Sequence, residues 1–285
     1  MLKIVPWHLT LMKDAQYYLF SNFHEAMFLI EASRRQSQSS TDQVTKIILS
    51  ADEIMGVFSM NTNGRLLVHI DPEILNEESC EQILDHVVSE PFPISGMLGN
   101  WHAVSSLATC LVYNGIWSKL RMISEEATMV LDQIGNIDIE FQDNIRLLDS
   151  SDFAAWYQLR LAYCHELNIP ISESLYEIQK SFALATQQER HWGLFIDGRL
   201  IAISSANAIV DNTAQVGGVY TSEDHRSKGY ARRLISRQLE DLRMRSICRA
   251  SLFTGKDNHA AIKAYEQLGF VAKGHFGLVF PALPS

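Results

Sequence analysis

The sequence predicts a mixed α/β sheet protein built as two domains. Three observations carry that expectation. Its 285 residues are 47% hydrophobic and 20% charged, enough apolar material for two cores at roughly 100–200 residues per domain. Short strand-like apolar runs alternate along the chain with apolar stripes at helical spacing. Charge is unevenly divided: to Glu140 there are 8 basic and 18 acidic residues, and from Phe141 onward 16 and 15. The halves are therefore specialised, and an anion would be bound by the second. The expected division is 1–140 and 141–285, with the linker near 136–143 after the turn-like Asp132–Asn136.

In the first half the pattern gives a helix over about 11–33, a strand pair over 46–60 and 65–70 across Asn63-Gly64, and a helix over 77–89. A strand, a helix over 101–113 and a last strand follow. Ser33 to Asp42, rich in Ser and Gln, reads as an exposed loop. Pro91 to Ser118 has no Lys, Arg, Asp or Glu, but its prolines and glycines break any membrane-length helix, so it reads as buried globular structure.

The second half opens on a strand, Ile145–Leu148, and Asp149–Asp152 offers helix caps. Phe153, Trp156, Tyr157, Leu159 and Leu161 populate a helix that Asn168-Ile-Pro170 stops. Ser174 with Glu177 forms a capping box for a helix striped by Leu175, Ile178, Phe182 and Ala185. Strands His191–Ile196 and Arg199–Val210 meet at Asp197-Gly198, a strong hairpin signal. Asp211-Asn212 turns into Thr213–Tyr220. Next come a helix striped by Ala231, Leu234, Ile235, Leu239 and Leu242, and a strand, Ile247–Phe253. Asn258 opens a helix whose inward face is Ala261, Ile262, Tyr265 and Leu268, and Gly269 ends it. Phe270–Phe280 supplies the final strand or strand pair.

Between the strand ending at Tyr220 and the helix after it lies Arg226-Ser-Lys-Gly-Tyr-Ala231. Free amides at a helix N-terminus, a permissive Gly229 and a small Ala231 make a physical site for a phosphate. The spacing is neither that of a Walker loop nor that of a dinucleotide fingerprint. An ordinary turn and cap would read the same way.

The run Gly217 to Leu234 resembles the central motif of the GNAT superfamily of acyl-CoA-dependent N-acyltransferases, with Arg226, Gly229 and Ala231 at its fixed positions. Asn258 to Phe270 is similar to a second segment of that family, in which Asn258, Ala261, Tyr265, Gly269 and Phe270 match. The resemblance covers about 145–280 and implies the acyl-CoA N-acyltransferase fold with acetyl-CoA as co-substrate and no metal. It implies that Val219, Tyr220 and Thr221 pair with the pantetheine arm through backbone groups. Amides of Ser227, Lys228, Gly229, Tyr230 and Ala231 would cradle the pyrophosphate, which Arg226 and Lys228 neutralise. Asn258 would touch the pantetheine, and Tyr265 would protonate the departing thiolate.

The chemistry supports those assignments. A thioester attacked by a neutral amine needs its carbonyl polarised, a task for the N–H of Val219 or Tyr220, and its leaving thiolate accepts a proton from a positioned phenol. Tyr265 also fits a core aromatic on an amphipathic helix. Glu173, Glu177, His191, Asp211, Glu223, Asp224, His225 or a water could take the amine proton, and the acceptor itself stays open. The competing class is a non-catalytic acyl-CoA-binding or regulatory module.

The first half echoes this plan. Val68 to Leu84 lies over Val219 to Ile235 without a gap, which sets Leu75 at Arg226, Glu77 at Lys228 and Glu78 at Gly229. Tyr113 to Ile116 lies over Gln267 to Phe270 and sets Leu111 at Tyr265. Two carboxylates replace phosphate-binding groups, so the expectation is a tandem pair: a degenerate GNAT-like domain, then a competent one. An unrelated α/β domain is the alternative.

Other classes are set aside. Arg226–Arg249 holds eight of the 24 basic residues, yet acidic residues interrupt it and no nucleic-acid module is visible. His165-Glu166 is not followed by the second histidine of a zincin. Cys80, Cys110, Cys164 and Cys248 show no metal or disulfide spacing, and charges near the N-terminus interrupt any signal-peptide core. A cytoplasmic protein without membrane or nucleic-acid partners is the expectation.

Overall fold

The computed structural model describes residues 2–37, 43–136, 144–171 and 173–282. In chain order the elements are β1 (Lys3–Pro6), α1 (Leu9–Ser21), α2 (Phe23–Ser37), β2 (Gln43–Ser50), β3 (Glu53–Asn61), β4 (Arg65–Ile70), α3 (Glu77–Val88), β5 (Gly96–Asn100), α4 (Trp101–Tyr113) and β6 (Leu120–Leu131). They continue with β7 (Asn144–Leu147), α5 (Phe153–Glu166), α6 (Leu175–Gln187), β8 (His191–Ile196), β9 (Arg199–Val210) and β10 (Thr213–Thr221). The last are α7 (Tyr230–Met244), β11 (Arg249–Gly255), α8 (His259–Glu266) and β12 (Val271–Pro281). Short 3-10 turns stand at Pro72–Ile74, Ser150–Asp152 and Glu223–His225. This is the mixed α/β architecture the sequence predicts.

Two units divide the chain: Met1–Thr128 with Lys273–Ser285, and Met129–Ala272. The first is thus discontinuous, unlike the 1–140 and 141–285 read from the sequence. Residues 137–143, where the linker was expected, lie outside the described residues.

In the first unit the strand order is β1-β2-β3-β4-β5-β12-β6, with β4 and β5 parallel and β12 antiparallel to β5. Ile83, Leu84 and Val87 of α3 and Val104, Leu107 and Leu111 of α4 pack on Phe58, Met60 and Val68 of the sheet. Each such fully buried side chain contributes roughly 1.5–3 kcal/mol. The predicted helix over 11–33 is two helices. The Asn22 amide group bonds the Tyr18 carbonyl at 3.0 Å, and its own carbonyl starts α2 by accepting from Ala26. The predicted strand 46–60 is a hairpin, turned at Ala51-Asp52 with φ of 50° and 66°. Ser33 is not in a loop: α2 runs through it, it is buried, and its hydroxyl donates to Ile30 O. Residues 38–42 of that expected loop lie outside the described residues. The uncharged Pro91–Ser118 stretch supplies β5 and α4, and no described helix is long and apolar enough to cross a membrane.

The second unit orders its strands β11-β10-β9-β8-β7, with only the β10–β11 pair parallel. Leu234, Leu239, Ile235 and Leu242 of α7 cover one face, as their stripe predicts. On the other face α5 and α6 bring Trp156, Ile178 and Phe182 against Phe195, Ile203 and Tyr220. The end of β6 contributes Met129 and Leu131 to the cluster around Tyr265 and Phe270.

Candidate active site

The strands β10 and β11 pair from Thr213↔Arg249 to Val216↔Leu252, and there the parallel register stops. Both strands run on, β10 through Thr221 and β11 through Gly255. On its other edge β10 carries a bulge: Gly217 faces Ser205, the next partners are Tyr220 and Ile203, and Gly218 between them has φ 60°. A bulge bends its strand and re-aims its backbone. The consequence is a wedge walled by Gly217–Thr221, which includes Val219, Tyr220 and Thr221, the residues expected to bind an extended arm.

Past the wedge the chain turns through Ser227 (φ 61°) and Gly229 (φ 76°) into α7. Gly229 is the N-cap and no side chain caps the helix, so its first-turn amides lack the usual intrahelical or capping acceptor. A Cβ added at Gly229 would meet nothing within 4 Å. The glycine is therefore required by its left-handed φ rather than by crowding. Tyr230 and Ala231 are the first helical residues.

The cations here have protein partners. Arg226 bonds Glu166 of α5 through Nη2 and the Thr221 carbonyl through Nε (3.1 Å), and lies over the Tyr220 ring at 5.3 Å. Lys228 donates to the Asp224 carbonyl at 3.0 Å. The sequence placed Arg226 toward a phosphate and gave no sign of Glu166, 60 residues away. Its guanidinium here braces the end of β10 against α5.

Tyr265 is buried in the cluster of Met129, Leu131 and Phe270, edge-on to Phe270 at 6.1 Å. Burial, helped by nearby Tyr163, pushes its phenol well above the ordinary tyrosine range. It therefore stays protonated. Tyr163 in turn lies 6.2 Å from Tyr220, ring to ring, and sequence reading passed it over as a helix residue. Asn258 caps α8, its Oδ1 accepting from Ala261 N at 3.2 Å. That explains the residue locally.

Between α5 and the end of β10 opens a cleft of about 610 Å³, reached by Gln158, His165, Glu166, Tyr220, Ser222 and Glu223. Of the seven candidate proton acceptors only Glu223 lines it. Glu177 is spent on its capping box with Ser174, and Glu173 sits 3.9 Å from Arg160. His191 is half-buried, stacked on Phe182 and bonded to Ser205 Oγ at 2.6 Å. Burial, with Arg160 nearby, lowers its pKa to about 4. His225 pairs with Ser222 Oγ at 2.9 Å, and Asp224 is exposed on the turn that holds Lys228. Asp211 turns the β9–β10 hairpin at the opposite end of β10. Among the described residues no group of three His, Cys, Asp or Glu is placed to hold a metal.

The matching segment of the first unit is built differently. Its 3-10 turn, Pro72–Ile74, falls where the ungapped alignment places Glu223–His225. Gly115 (φ 70°) likewise answers Gly269 (φ 90°). But Asn76 and Ser79 close a capping box on α3. Asn100 bridges to Ile70, donating to its carbonyl at 2.7 Å and accepting from its N–H at 3.1 Å. β5 also hugs β4, since a Cβ on Gly99 would stand 1.7 Å from Val68 O. Where the second unit has an open wedge and bare amides, the first has a side-chain bridge and a capped helix.

Residues 153–270 match the model of the Acetyltransferase (GNAT) family. Three solved structures share the architecture of the chain at low sequence identity. A Drosophila protein is 11% identical over 98% of each chain, with TM-score 0.68. A GNAT-family acetyltransferase from Colwellia psychrerythraea is 14% identical over 99% of this chain and 100% of that one, with TM-score 0.56. A tandem GNAT protein from the clavulanic acid biosynthesis pathway is 13% identical over the full length of both, with TM-score 0.51. A search of the curated proteins finds no match.

Proposed function

We propose, from the match of residues 153–270 to the Acetyltransferase (GNAT) family, that the protein transfers the acetyl group of acetyl-CoA to a primary amine by direct attack in a ternary complex. The observation that carries this reading is the parting of β10 from β11 after Val216 and Leu252, followed by an uncapped helix headed by Gly229. Backbone groups of Val219, Tyr220 and Thr221 along the wedge suit an extended pantetheine amide chain, in the manner of an added strand. Amides of Ser227 to Ala231 suit a pyrophosphate, with Lys228 beside them and Arg226 within one turn of chain.

Acetyl-CoA supplies an activated acyl carbon and a thiolate leaving group. The N–H of Val219 or Tyr220 would donate to the carbonyl oxygen as negative charge gathers on it. The amine nitrogen bonds to the acyl carbon, the C–S bond breaks, and Tyr265, kept protonated by its burial, gives its proton to the sulfur. Glu223 at the cleft mouth, directly or through water, accepts the proton the amine must lose. The first unit serves as a non-binding partner, because Asn100 and the α3 capping box occupy the corresponding groups. Four free cysteines suit a reducing cytoplasm.

Free-thiol release from acetyl-CoA across a panel of amines tests the reading. Tyr265→Phe is expected to lower turnover by about a hundredfold or more while CoA affinity by calorimetry stays within a few-fold. Thiol release absent with every amine, while CoA still binds, would establish a non-catalytic acyl-CoA-binding module instead.

A further inference from the structure

In the first unit a cleft of about 380 Å³ opens between α3 and α4, and both Cys80 and Cys110 line it, with Glu77 and Glu81 at its side. The two thiols lie close enough to act on one another, and both glutamates act electrostatically on Cys110. Cys110 is partly exposed and Cys80 is buried behind it. Neither thiol has a part in the acetyl-transfer chemistry.

The cleft occupies the place that, in the second unit, lies between α7 and α8. The alignment sets Glu77 and Glu81 at Lys228 and Arg232, and Thr109 at Lys263. It sets Cys80 and Cys110 at Ala231 and Ala264. Where the second unit carries two cations and two alanines, the first carries two carboxylates and two thiols. A groove of one sign raises the local concentration of counter-charged molecules by roughly ten- to a thousandfold in encounter rate.

We propose that Cys80 and Cys110 form a thiol–disulfide exchange site for small cationic disulfides, closing to an intramolecular disulfide between α3 and α4. Cys110, reachable from the cleft, attacks first. Burial, with the two carboxylates adding to it, holds the Cys110 thiol above the ordinary cysteine range, and a Cys80 S–H turned toward the thiolate offsets part of that cost. The Cys110 sulfur bonds to one sulfur of the incoming disulfide, and the other leaves as a thiolate that takes up a proton. Cys80 then loses its proton to solvent and bonds to Cys110 Sγ, expelling the second half of the reagent as a thiol. Two protein thiols are oxidised and one external disulfide is reduced to two thiols. Burial and the neighbouring Cys110 together raise the Cys80 pKa to about 12. The first step removes the ionisable neighbour and so eases the second.

The test compares cystamine, a dication, with oxidised glutathione, a polyanion, each rate normalised to that on N-acetylcysteine. The proposal expects cystamine to be favoured at least about tenfold and peptide mapping to recover a Cys80–Cys110 crosslink. Glu77→Gln with Glu81→Gln, both exposed changes, should bring the normalised ratio close to one while the crosslink still forms. Cys80→Ser should stop at a stable cysteamine adduct on Cys110. Equal normalised rates, reaction confined to Cys164 or Cys248, or a Cys110 adduct that persists with Cys80 present would each overturn it.

Discussion

Gly229 is the residue on which the second unit's loop turns. Its φ of 76° costs an L-residue roughly 1–2 kcal/mol, and a side chain there would enter open space. Gly229→Ala is therefore expected to cost about that much stability and only a modest loss of CoA affinity. Gly229→Glu adds a carboxylate beside the proposed pyrophosphate amides, and calorimetry should show affinity falling a hundredfold or more. Unchanged affinity in that variant would remove the loop from the site. His191 makes a second, independent case. Its folded pKa of about 4 lies below the unfolded value of about 6.5, so below pH 6.5 the unfolded chain binds a proton that the folded chain refuses. Stability should fall as pH drops from about 6.5 to 4, by on the order of 3 kcal/mol, and then level off. His69 in the first unit, lowered by burial to about 4, adds a slope of its own. Amide exchange in β8 and β9 isolates the second unit. His191→Gln should flatten its profile in that window, and a profile that keeps its slope would rule His191 out as the cause.

Elements whose signals are local were legible in the sequence. The Ser174–Glu177 box, the Asp197-Gly198 hairpin (φ 49° and 76°), the α7 stripe and Gly269 each carry their reason within a few residues. The Ala51-Asp52 turn has no glycine, and the Asn22 break depends on a side-chain bond, so neither left a composition signal. The site followed the same rule. Gly229, the Asn258 cap and the buried Tyr265 stand in one stretch of pattern, whereas Glu166, Tyr163 and the sealing Asn100 act across long separations that only folding brings together. Asn100 gives the prediction at this scale. It is 4% exposed and makes both hydrogen bonds to Ile70, so Asn100→Ala leaves a buried carbonyl and N–H without partners. The expected loss is about 2–4 kcal/mol in the first unit. Chemical denaturation followed through exchange in β4 and β5 would read it, and a loss below about 0.5 kcal/mol would show that water replaces the bridge.

At the scale of the whole chain, the first unit depends on residues that the sequence assigned to the second. The alternation in 270–280 announces a strand, but period-two patterning carries no information about which strand it joins. In the structure β12 pairs with β5 from Phe276↔Asn100 to Val279↔Met97. Phe276, Val279 and Phe280 are buried to within 3%, Arg65 lies over the Phe280 ring at 4.6 Å, and Glu25 accepts the His275 N–H at 3.0 Å. Ending the chain at Ala272 would strip these contacts. Three buried side chains at roughly 1.5–3 kcal/mol each, less the allowance for a compact unfolded state, amount to a large share of the 5–15 kcal/mol that a domain has. The truncated chain should therefore lose amide protection in Gly96–Asn100 and across α3 and α4, while β8, β9 and β10 keep theirs. A synthetic peptide spanning residues 271–282 should restore protection in a concentration-dependent way, because it returns the strand without the covalent link. A truncated chain whose β5 stays protected would mean that the first unit closes its sheet without β12, and the discontinuous division of the molecule would then have no energetic basis.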